Sequence, residues 1–336
     1  MTKLAPVPVV VLALFTLLLV SGCTAPAHVG TGTLSTLNVP IDLQPGALFV
    51  TPDESYVLCE TQRDKNLVFT GNLDVLRTQG LDFQAFAFSA DSKSAAAVRQ
   101  EEAVLVTVPD LRRLASFPKP AGAFSGKAEM HALPGGDGYV AVSNDRGVPN
   151  VWIISGEPPR FAASGRTSDP ENLRGSALDP VSGELVLTND RNHIEIFDIS
   201  TMKTVEILEL PCRETDFDIA TGLGWAFVAT RDGIVIPVDL QARAHAEPLR
   251  IGGRGHLKVA LSKSGRLLAV CHQDQSARKA PYPTTVKVYA VSQGNARELG
   301  SAFFEAKGPA RDIVVLEGSK KVVISCAPQL LVWAFE

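Results

Sequence analysis

The chain repeats a unit of about 40 residues, and the stretch Ala177–Leu210 is its clearest copy. An apolar run and the turn Asp179–Gly183 lead into a predicted strand, Glu184–Thr188. Two further polar turns introduce the predicted strands Ile194–Ile199 and Thr204–Leu210. Short strands separated by Gly, Pro, Asn, Asp and Ser are typical of an antiparallel meander. Four strands in about 40 residues match one blade of a β-propeller.

Seven such units follow one another in a consistent register. Each has an apolar residue that ends the first strand just before a turn; these residues are Val50, Phe88, Leu133, Leu178, Ile219, Leu261 and Leu316. The predicted second strands are 56–60, 94–98, 139–143, 184–188, 225–229, 267–271 and 322–326. The pattern predicts an all-β, seven-bladed propeller of four-stranded antiparallel blades. A count of six or eight blades would require one spurious or one missed unit. An open β-solenoid would need shorter repeats and parallel strands.

The two ends of the repeat region complement each other. The seventh unit stops after its third strand, because the chain ends at Glu336. A spare strand, Thr33–Val39, precedes the first unit. We expect this strand to complete the last blade and close the ring, which removes open sheet edges. The alternative is a disordered N-terminal arm and a three-stranded final blade.

The N-terminus differs in kind from the repeat region. Lys3 precedes an apolar run, Val7–Val20, and small residues follow at Ser21 and Gly22 before Cys23. This order predicts a secretory signal peptide over residues 1–22. The tetrad 20–23 resembles a bacterial lipobox, which implies a lipidated Cys23; the alternative is an ordinary signal peptide with Cys23 incidental.

Lipidation of Cys23 would anchor an exported protein to a bacterial membrane, on the periplasmic or the cell-surface side. Thr24 resembles the outer-membrane sorting pattern of enteric bacteria. Residues 23–32 are predicted to be a tether, and residues 33–336 the propeller. The ten residues 24–33 reach at most about 33–36 Å when extended, so the propeller would lie close to the bilayer.

Charge and motifs exclude several function classes. The 336 residues carry a formal net charge of −4, with both signs interspersed, so nucleic acid is not expected as a partner. The six histidines show no metal-pair spacing, and HExxH, P-loop and GxSxG motifs do not occur. We therefore expect a monomeric propeller without a metal or cofactor. A propeller can still assemble an active site from residues far apart in sequence.

The largest departure from the repeat lies in the sixth unit. The segment His272–Thr285 joins the second and third strands there and is longer than its counterparts. Variation on a regular scaffold often carries binding function. Four residues are therefore predicted to bind a partner: His272, Arg278, Lys279 and Tyr282. A tolerated surface insertion is the alternative.

The segments that enter the first strands are a second candidate region, because in propellers they line the mouth of the central channel. Their charged and polar residues are Gln84, Lys127, Glu129, Arg174, Glu214, Asp216, His256, Lys258, Arg311 and Asp312. If the protein is an enzyme, the predicted catalytic set is Glu129, Arg174, Glu214, His256 and Arg311. The alternative is a solvated channel wall.

The remaining cysteines are not expected to form disulfides. Cys59, Cys271 and Cys326 lie at the ends of second strands in different blades. Such positions should be about 10 Å apart, whereas a disulfide needs Cα atoms within about 7 Å. These cysteines are therefore predicted to be small buried hydrophobes.

The repeats resemble WD-repeat and YVTN-type seven-bladed propellers over about residues 33–336. The lines IEIFDIS (194–200), VKVYAVS (286–292) and LLVWAF (330–335) look like third strands of that group. Trp-Asp pairs do not occur, so the looser YVTN and lactonase-like group fits better. The chain also resembles, in outline, the propeller lipoproteins that serve as scaffolds in envelope assembly. The lipobox, the seven-fold repeat and the lack of a catalytic motif predict a membrane-anchored, non-enzymatic scaffold for protein interaction in the bacterial cell envelope. A lactonase- or hydrolase-like enzyme, or a small-ligand or metal sensor, is the alternative.

Overall fold

The computed structural model describes residues 32–336 except 38, 40–42, 62–64, 100, 122, 125–126, 137, 146–147, 169–172, 190, 214 and 275–278. The predicted signal peptide, Cys23 and most of the predicted tether lie outside the described residues. No helix in the described part of the chain is long and apolar enough to cross a membrane.

The described residues form 29 strands, numbered β1–β29 in chain order, in seven antiparallel sheets. Blade 1 comprises β2 (Pro45–Val50), β3 (Tyr56–Thr61), β4 (Lys65–Thr70) and β5 (Val75–Gly80). Blade 2 comprises β6 (Ala85–Phe88), β7 (Ser94–Val98), β8 (Glu102–Thr107) and β9 (Arg113–Pro118). Blade 3 comprises β10 (Ala128–Ala132), β11 (Gly138–Asp145), β12 (Val148–Ser155) and β13 (Arg160–Arg166). Blade 4 comprises β14 (Gly175–Leu178), β15 (Glu184–Thr188), β16 (His193–Asp198) and β17 (Lys203–Glu209).

Blades 5 and 6 differ from this pattern in their outer strands. Blade 5 comprises β18 (Thr215–Gly222), β19 (Trp225–Thr230), β20 (Ile234–Asp239) and the short β21 (Ala244–His245) and β22 (Leu249–Arg250). Both short strands pair with β20, so together they replace the fourth strand. Blade 6 comprises β23 (Gly255–Leu261), β24 (Leu267–Asp274), β25 (Tyr282–Ser292) and β26 (Asn295–Ala306).

Blade 7 joins the two ends of the repeat region. Its first three strands are β27 (Ala310–Leu316), β28 (Lys321–Cys326) and β29 (Gln329–Phe335). The fourth is β1 (Gly32–Leu37), which pairs with β29 from Gly32 opposite Phe335 to Leu37 opposite Leu330. The predicted seven blades and the closure by an N-terminal strand are confirmed.

The core consists of seven apolar clusters, one between each pair of adjacent blades. In β3, Val57 and Cys59 pack toward blade 7, while Leu58 between them packs toward blade 2. Successive side chains of a strand point to opposite faces, and a blade inside the ring buries both faces. This explains why the second strands are continuous apolar runs, as in Ala95–Val98, whose four side chains are fully buried.

The ring has two faces, which we name by their connections. The turn face carries the turns between first and second strands and those between third and fourth strands. The mouth face carries the loops between blades and the turns between second and third strands. β1 begins at the turn face, because Gly32 lies opposite Phe335 and the Phe335 N–H donates to the Lys320 carbonyl in a turn of that face.

The described cysteines are all free, as predicted. Cys59, Cys271 and Cys326 are buried and Cys212 is half-buried. Burial raises the pKa of Cys59 and of Cys326 to about 12, so both thiols stay protonated at neutral pH.

Candidate functional site

The candidate site is the central channel, where the innermost strands of all seven blades surround a cavity of about 570 Å³. Backbone and apolar side chains form much of its wall. Its charged and polar side chains are Glu60, Gln84, Lys127, Glu129, His131, Ser176, Asp218, Thr221 and Asp312. Four carboxylates and one ammonium among them make the channel acidic.

Glu129 on β10 joins blade 3 to blade 4. Its Oε2 accepts hydrogen bonds from the Ser176 N–H at 2.6 Å and from the Ser176 hydroxyl at 2.7 Å. The Lys127 ammonium lies 2.7 Å from Oε1. The Nε2 atom of His131, also on β10, is 2.8 Å from Ser176 Oγ. These four side chains form one connected polar cluster across the two blades.

Asp218 and Asp312 make the equivalent bond at two other boundaries. Asp218 Oδ2 on β18 accepts the N–H of Val259 in blade 6 at 2.7 Å. Asp312 Oδ2 on β27 accepts the N–H of Leu48 in blade 1 at 2.7 Å, and its Oδ1 accepts the Ile313 N–H at 2.8 Å. Glu129, Asp218 and Asp312, the inter-blade carboxylates, thus connect blades 3 and 4, 5 and 6, and 7 and 1.

Irregular pairing between the first and second strands places two of these carboxylates, those of Asp218 and Asp312, on the channel side. The register between first and second strands shifts between Thr215 and Ile219 in blade 5 and between Ala310 and Asp312 in blade 7. A β-bulge bends the strand and re-aims the side chain beside it. Asp218 and Asp312 sit at these shifts, so the bulges place them where the next blade's N–H can reach them.

Asp218 and Asp312 both have raised pKa values, and the negative charge of Asp218 disfavours the ionised form of Asp312. Burial, together with the negative charge of Asp218, raises the pKa of Asp312 to about 7, against the opposing effect of Lys258. Burial also raises the pKa of Asp218, although Lys258 and the Val259 N–H favour its ionised form. Near neutral pH this pair therefore carries less than two full charges.

The Glu129 cluster has the opposite balance. Burial disfavours the Glu129 carboxylate, but the Lys127 charge and the bonds from Lys127 and Ser176 outweigh it, so the pKa of Glu129 is lowered. Burial lowers the pKa of His131, despite the nearby Glu129. At neutral pH the cluster therefore contains an ionised Glu129 and a neutral His131.

The structure brings together only part of the predicted catalytic set. Glu129 lines the cavity, whereas Arg174, His256 and Arg311 lie outside its lining. Arg174 is half-buried, and its carbonyl accepts a hydrogen bond from Lys127; His256 and Arg311 are exposed. Glu214 lies outside the described residues.

Sequence reasoning missed Glu60, His131, Ser176 and Asp218. His131 follows Glu129 by two residues, so the period-2 alternation of a strand could have placed both on the channel side. Asp218 could not be found in that way, because the bulge after Thr215 interrupts the alternation. Glu60 belongs to a second strand, which was expected to be core.

The sixth-unit insertion is mostly an extension of its hairpin. The ladder between β24 and β25 continues to His272 opposite Thr285 and Gln273 opposite Thr284. His272 is 8% exposed, and its Nε2 lies 3.1 Å from the Gly253 carbonyl oxygen, so its ring packs under the loop that enters blade 6. Lys279 is exposed and Tyr282 half-buried on the mouth face, and Arg278 lies outside the described residues.

No group of three or more His, Cys, Asp or Glu side chains among the described residues could hold a metal ion. The inter-blade carboxylates already accept backbone N–H groups. Their principal role in the described structure is to join blades.

Comparison with known proteins supports the fold alone. No protein-family model matches the chain, and no curated protein matches it. The solved structures similar to it include the "Structure of U3-55K", with a TM-score of 0.68 at 14% identity. That similarity covers 90% of this chain and 98% of the other. Identity this low establishes a shared propeller fold and transfers no function.

Proposed function

We propose that the protein is a lipid-anchored scaffold in the bacterial cell envelope, and that its mouth face binds a protein partner. The propeller fold is consistent with a protein-interaction scaffold. Support for the membrane anchor is the tetrad Val20–Cys23 directly after the apolar run Val7–Val20. Several acyl chains on Cys23, which the lipobox resemblance implies, would suffice for stable anchoring.

The observation that carries the scaffold role is the engagement of the channel carboxylates. Glu129, Asp218 and Asp312 each hold a neighbouring blade through a backbone N–H. These bonds stiffen the ring, and a rigid ring presents its loops as a fixed platform. The extended β24–β25 hairpin of blade 6 raises Lys279 and Tyr282 on the mouth face, where a partner can reach them.

Affinity capture from detergent-solubilised membranes tests the proposal. The protein should be found in the membrane fraction with an acylated Cys23 and should retain a stoichiometric partner. Lys279→Glu should lower the recovery of that partner, while Lys93→Glu, an exposed lysine in a blade 2 turn of the opposite face, should leave it unchanged. A protein that is released to the soluble fraction without acylation would contradict the anchor. Equal recovery with both variants would contradict the assigned face.

One arrangement favours the hydrolase alternative. Ser176 Oγ lies 2.8 Å from a neutral His131 and 2.7 Å from Glu129, so a serine, an imidazole and a carboxylate meet in the cavity. Their order differs from that of a serine hydrolase, because the carboxylate contacts the serine and not the imidazole. A Ser176 hydroxyl that donates to Glu129 cannot donate to His131.

Hydrolytic activity toward esters or lactones tests this alternative. If the site is catalytic, Ser176→Ala and His131→Ala should each abolish the activity while the protein remains folded. Activity that survives both substitutions would exclude this cluster as the active site.

A further inference from the structure

The exposed apolar side chains are unevenly distributed between the two faces. The described part of the chain has eight large exposed hydrophobic residues: Val75, Leu76, Leu114, Val181, Val205, Ile207, Leu223 and Phe303. Val181 and Leu223 lie in turns of the turn face, and Val75, Leu76 and Leu114 begin the strands that leave it. None of the eight lies in the described loops of the mouth face. Among the described residues, the large exposed hydrophobic side chains in turns therefore lie on the turn face.

Leu223 is the most unexpected residue of this group. It forms a two-residue hairpin turn with Gly224, between Gly222 and Trp225, and both turn residues have positive φ values, 56° and 79°. Such a turn favours Asn-Gly, because a leucine in the left-handed region is strained. The Leu223 side chain is nevertheless 54% exposed and lies over Gly265 in the next blade. Turn geometry and solvation both disfavour leucine here.

Basic residues lie next to Leu223. Lys263 and Arg266 flank Gly265 and are exposed, as is Lys320 in the adjacent turn of blade 7. Acidic residues also lie in this part of the turn face, and four of them are engaged by neighbouring groups. Glu184 pairs with Arg243, and Asp239 accepts the Gln241 N–H, both beside Val181 and Leu223. Glu317 accepts hydrogen bonds from Ser264, and Glu54 accepts the N–H groups of Glu317 and Gly318.

The chain ahead of β1 leaves from this same face. Gly32 begins β1 beside Phe335 and the Lys320 turn. Nine residue steps separate Cys23 from Gly32 and span at most about 30 Å. A membrane-anchored Cys23 would therefore hold the turn face toward the bilayer.

We propose that the turn face of blades 4–7 docks on the membrane surface, with Val181 and Leu223 inserted among the lipids and Lys263, Arg266 and Lys320 against anionic headgroups. Exposed apolar side chains beside cations are the combination that binds anionic lipid interfaces. This inference deepens the proposed function and rests on it for the anchor. Docking in this way would turn the mouth face, with its channel and Lys279, away from the membrane.

Two fluorescent positions test the orientation. Leu223→Cys and Lys279→Cys are each labelled with an environment-sensitive dye, in a Cys212→Ser background and with Cys23 natively acylated. In vesicles with roughly one anionic lipid in four, the dye at position 223 should shift to the blue and be quenched by brominated lipids. The dye at position 279 should show no blue shift and no quenching, because it remains in water. A dye at position 223 that also reports water overturns the proposal.

A second assay tests lipid binding by the turn face in the absence of the proposed lipid anchor. A chain that begins at Thr24 lacks both the acyl group and the apolar run Val7–Val20, so its sedimentation with the same vesicles depends on the turn face alone. Leu223→Asn should lower its partition coefficient roughly tenfold, the effect of one leucine side chain. Its melting temperature should stay equal or rise, because asparagine suits this turn.

Phe303→Thr is the matched control, since Phe303 is 44% exposed on the outer strand of blade 6. It should leave vesicle binding unchanged. A loss of binding equal in both variants, or unchanged binding of Leu223→Asn, overturns the proposal. Absence of acylation at Cys23 would overturn the anchor of the proposed function, and the assay on the chain that begins at Thr24 would still test lipid binding by the turn face.

Discussion

The same type of hydrogen bond joins blade 3 to blade 4 and blade 7 to blade 1. The two carboxylates that accept these bonds lie in opposite electrostatic surroundings. Glu129 accepts the Ser176 N–H at 2.6 Å, and Asp312 accepts the Leu48 N–H at 2.7 Å. Lys127 compensates the charge of Glu129, whereas Asp312 faces a second carboxylate, Asp218, with Lys258 opposing. The same geometry therefore binds an ionised carboxylate at one boundary and, at the other, a carboxyl group that is about half protonated at pH 7.

The two boundaries also differ in covalent connection. Blades 3 and 4 are consecutive along the chain, through residues 167–174. The first three strands of blade 7 lie at the opposite end of the chain from blade 1, and the pairing of β1 with β29 brings together residues about 300 positions apart. The ring is thus closed by side chains and a strand ladder. It closes at the boundary where the ionised form of the carboxylate, that of Asp312, is disfavoured.

Removal of β1 should lower the stability of the protein more than any other change proposed for the two boundaries. A chain that lacks residues 32–37 loses six ladder pairs and exposes the edge of β29. We expect the melting temperature to fall by about 5 °C or more, because roughly 3 kcal/mol or more of stability is lost from a domain of this size. Differential scanning calorimetry measures the change.

Deletion of residues 24–31 is the control for that experiment and should leave the melting temperature unchanged. A chain without β1 that melts like the intact protein would show that the ladder contributes nothing to stability.

A single substitution at the closure should have the next largest effect. Gly32 has a φ of 144°, and a Cβ there would collide with the Ala334 carbonyl and the Trp333 ring. Gly32→Ala should lower the free energy of unfolding by about 2 kcal/mol, measured by urea denaturation. Gly253→Ala serves as the control, because its Cβ would meet open space. Equal effects of the two substitutions would contradict the close approach.

A matched pair of carboxylate substitutions compares the two boundaries directly. Glu129→Gln removes an ionised hydrogen-bond acceptor and leaves Lys127 without its charge partner, so it should cost about 1–3 kcal/mol at pH 7. Asp312→Asn replaces a group whose pKa is about 7 and relieves its repulsion with Asp218. It should cost less than about 1 kcal/mol. Urea denaturation of both variants measures the difference, and a larger loss with Asp312→Asn would reverse the assignment of charge.

The pH dependence of stability should have opposite signs at the two boundaries. The pKa of Asp312 lies near 7 in the folded protein and at 3.8 ordinarily, so the folded state binds more protons between about pH 4 and 7. This group therefore destabilises the fold progressively as pH rises through that window. The lowered pKa of Glu129 has the opposite sign, and its contribution is lost as pH falls below about 4.5.

The urea midpoint at several pH values between 5 and 8 isolates the Asp312 contribution. Relative to the wild type, Asp312→Asn should gain stability as pH rises from about 5.5 to 7.5, by a few kcal/mol at most. Parallel curves for the two proteins would contradict the raised pKa.

Local patterns in the sequence were sufficient to predict the blades. The turn Asp179–Gly183 and the alternation of Ile194–Ile199 are short-range signals, and they recur in every unit. Closure was predictable because the last unit lacks a strand and the first has one to spare. The structure starts and ends that strand slightly earlier, at Gly32 and Leu37.

The channel depends on contacts that no short segment encodes. Glu129 and Ser176 are 47 positions apart, and Asp312 and Leu48 are 264 apart. Their contact follows from the closed ring and from bulges that a sequence pattern does not show. The prediction therefore identified Glu129 and Asp312 as mouth residues, but not the backbone groups that they bind.

The position of β1 also decides how the ring responds to a pull. A force on the chain ahead of Gly32 acts along the axis of β1 and away from Leu37. The ladder to β29 is then loaded in shear, and its six residue pairs resist together instead of peeling apart one by one. The strand that closes the ring is thus oriented to bear mechanical tension from the N-terminal side.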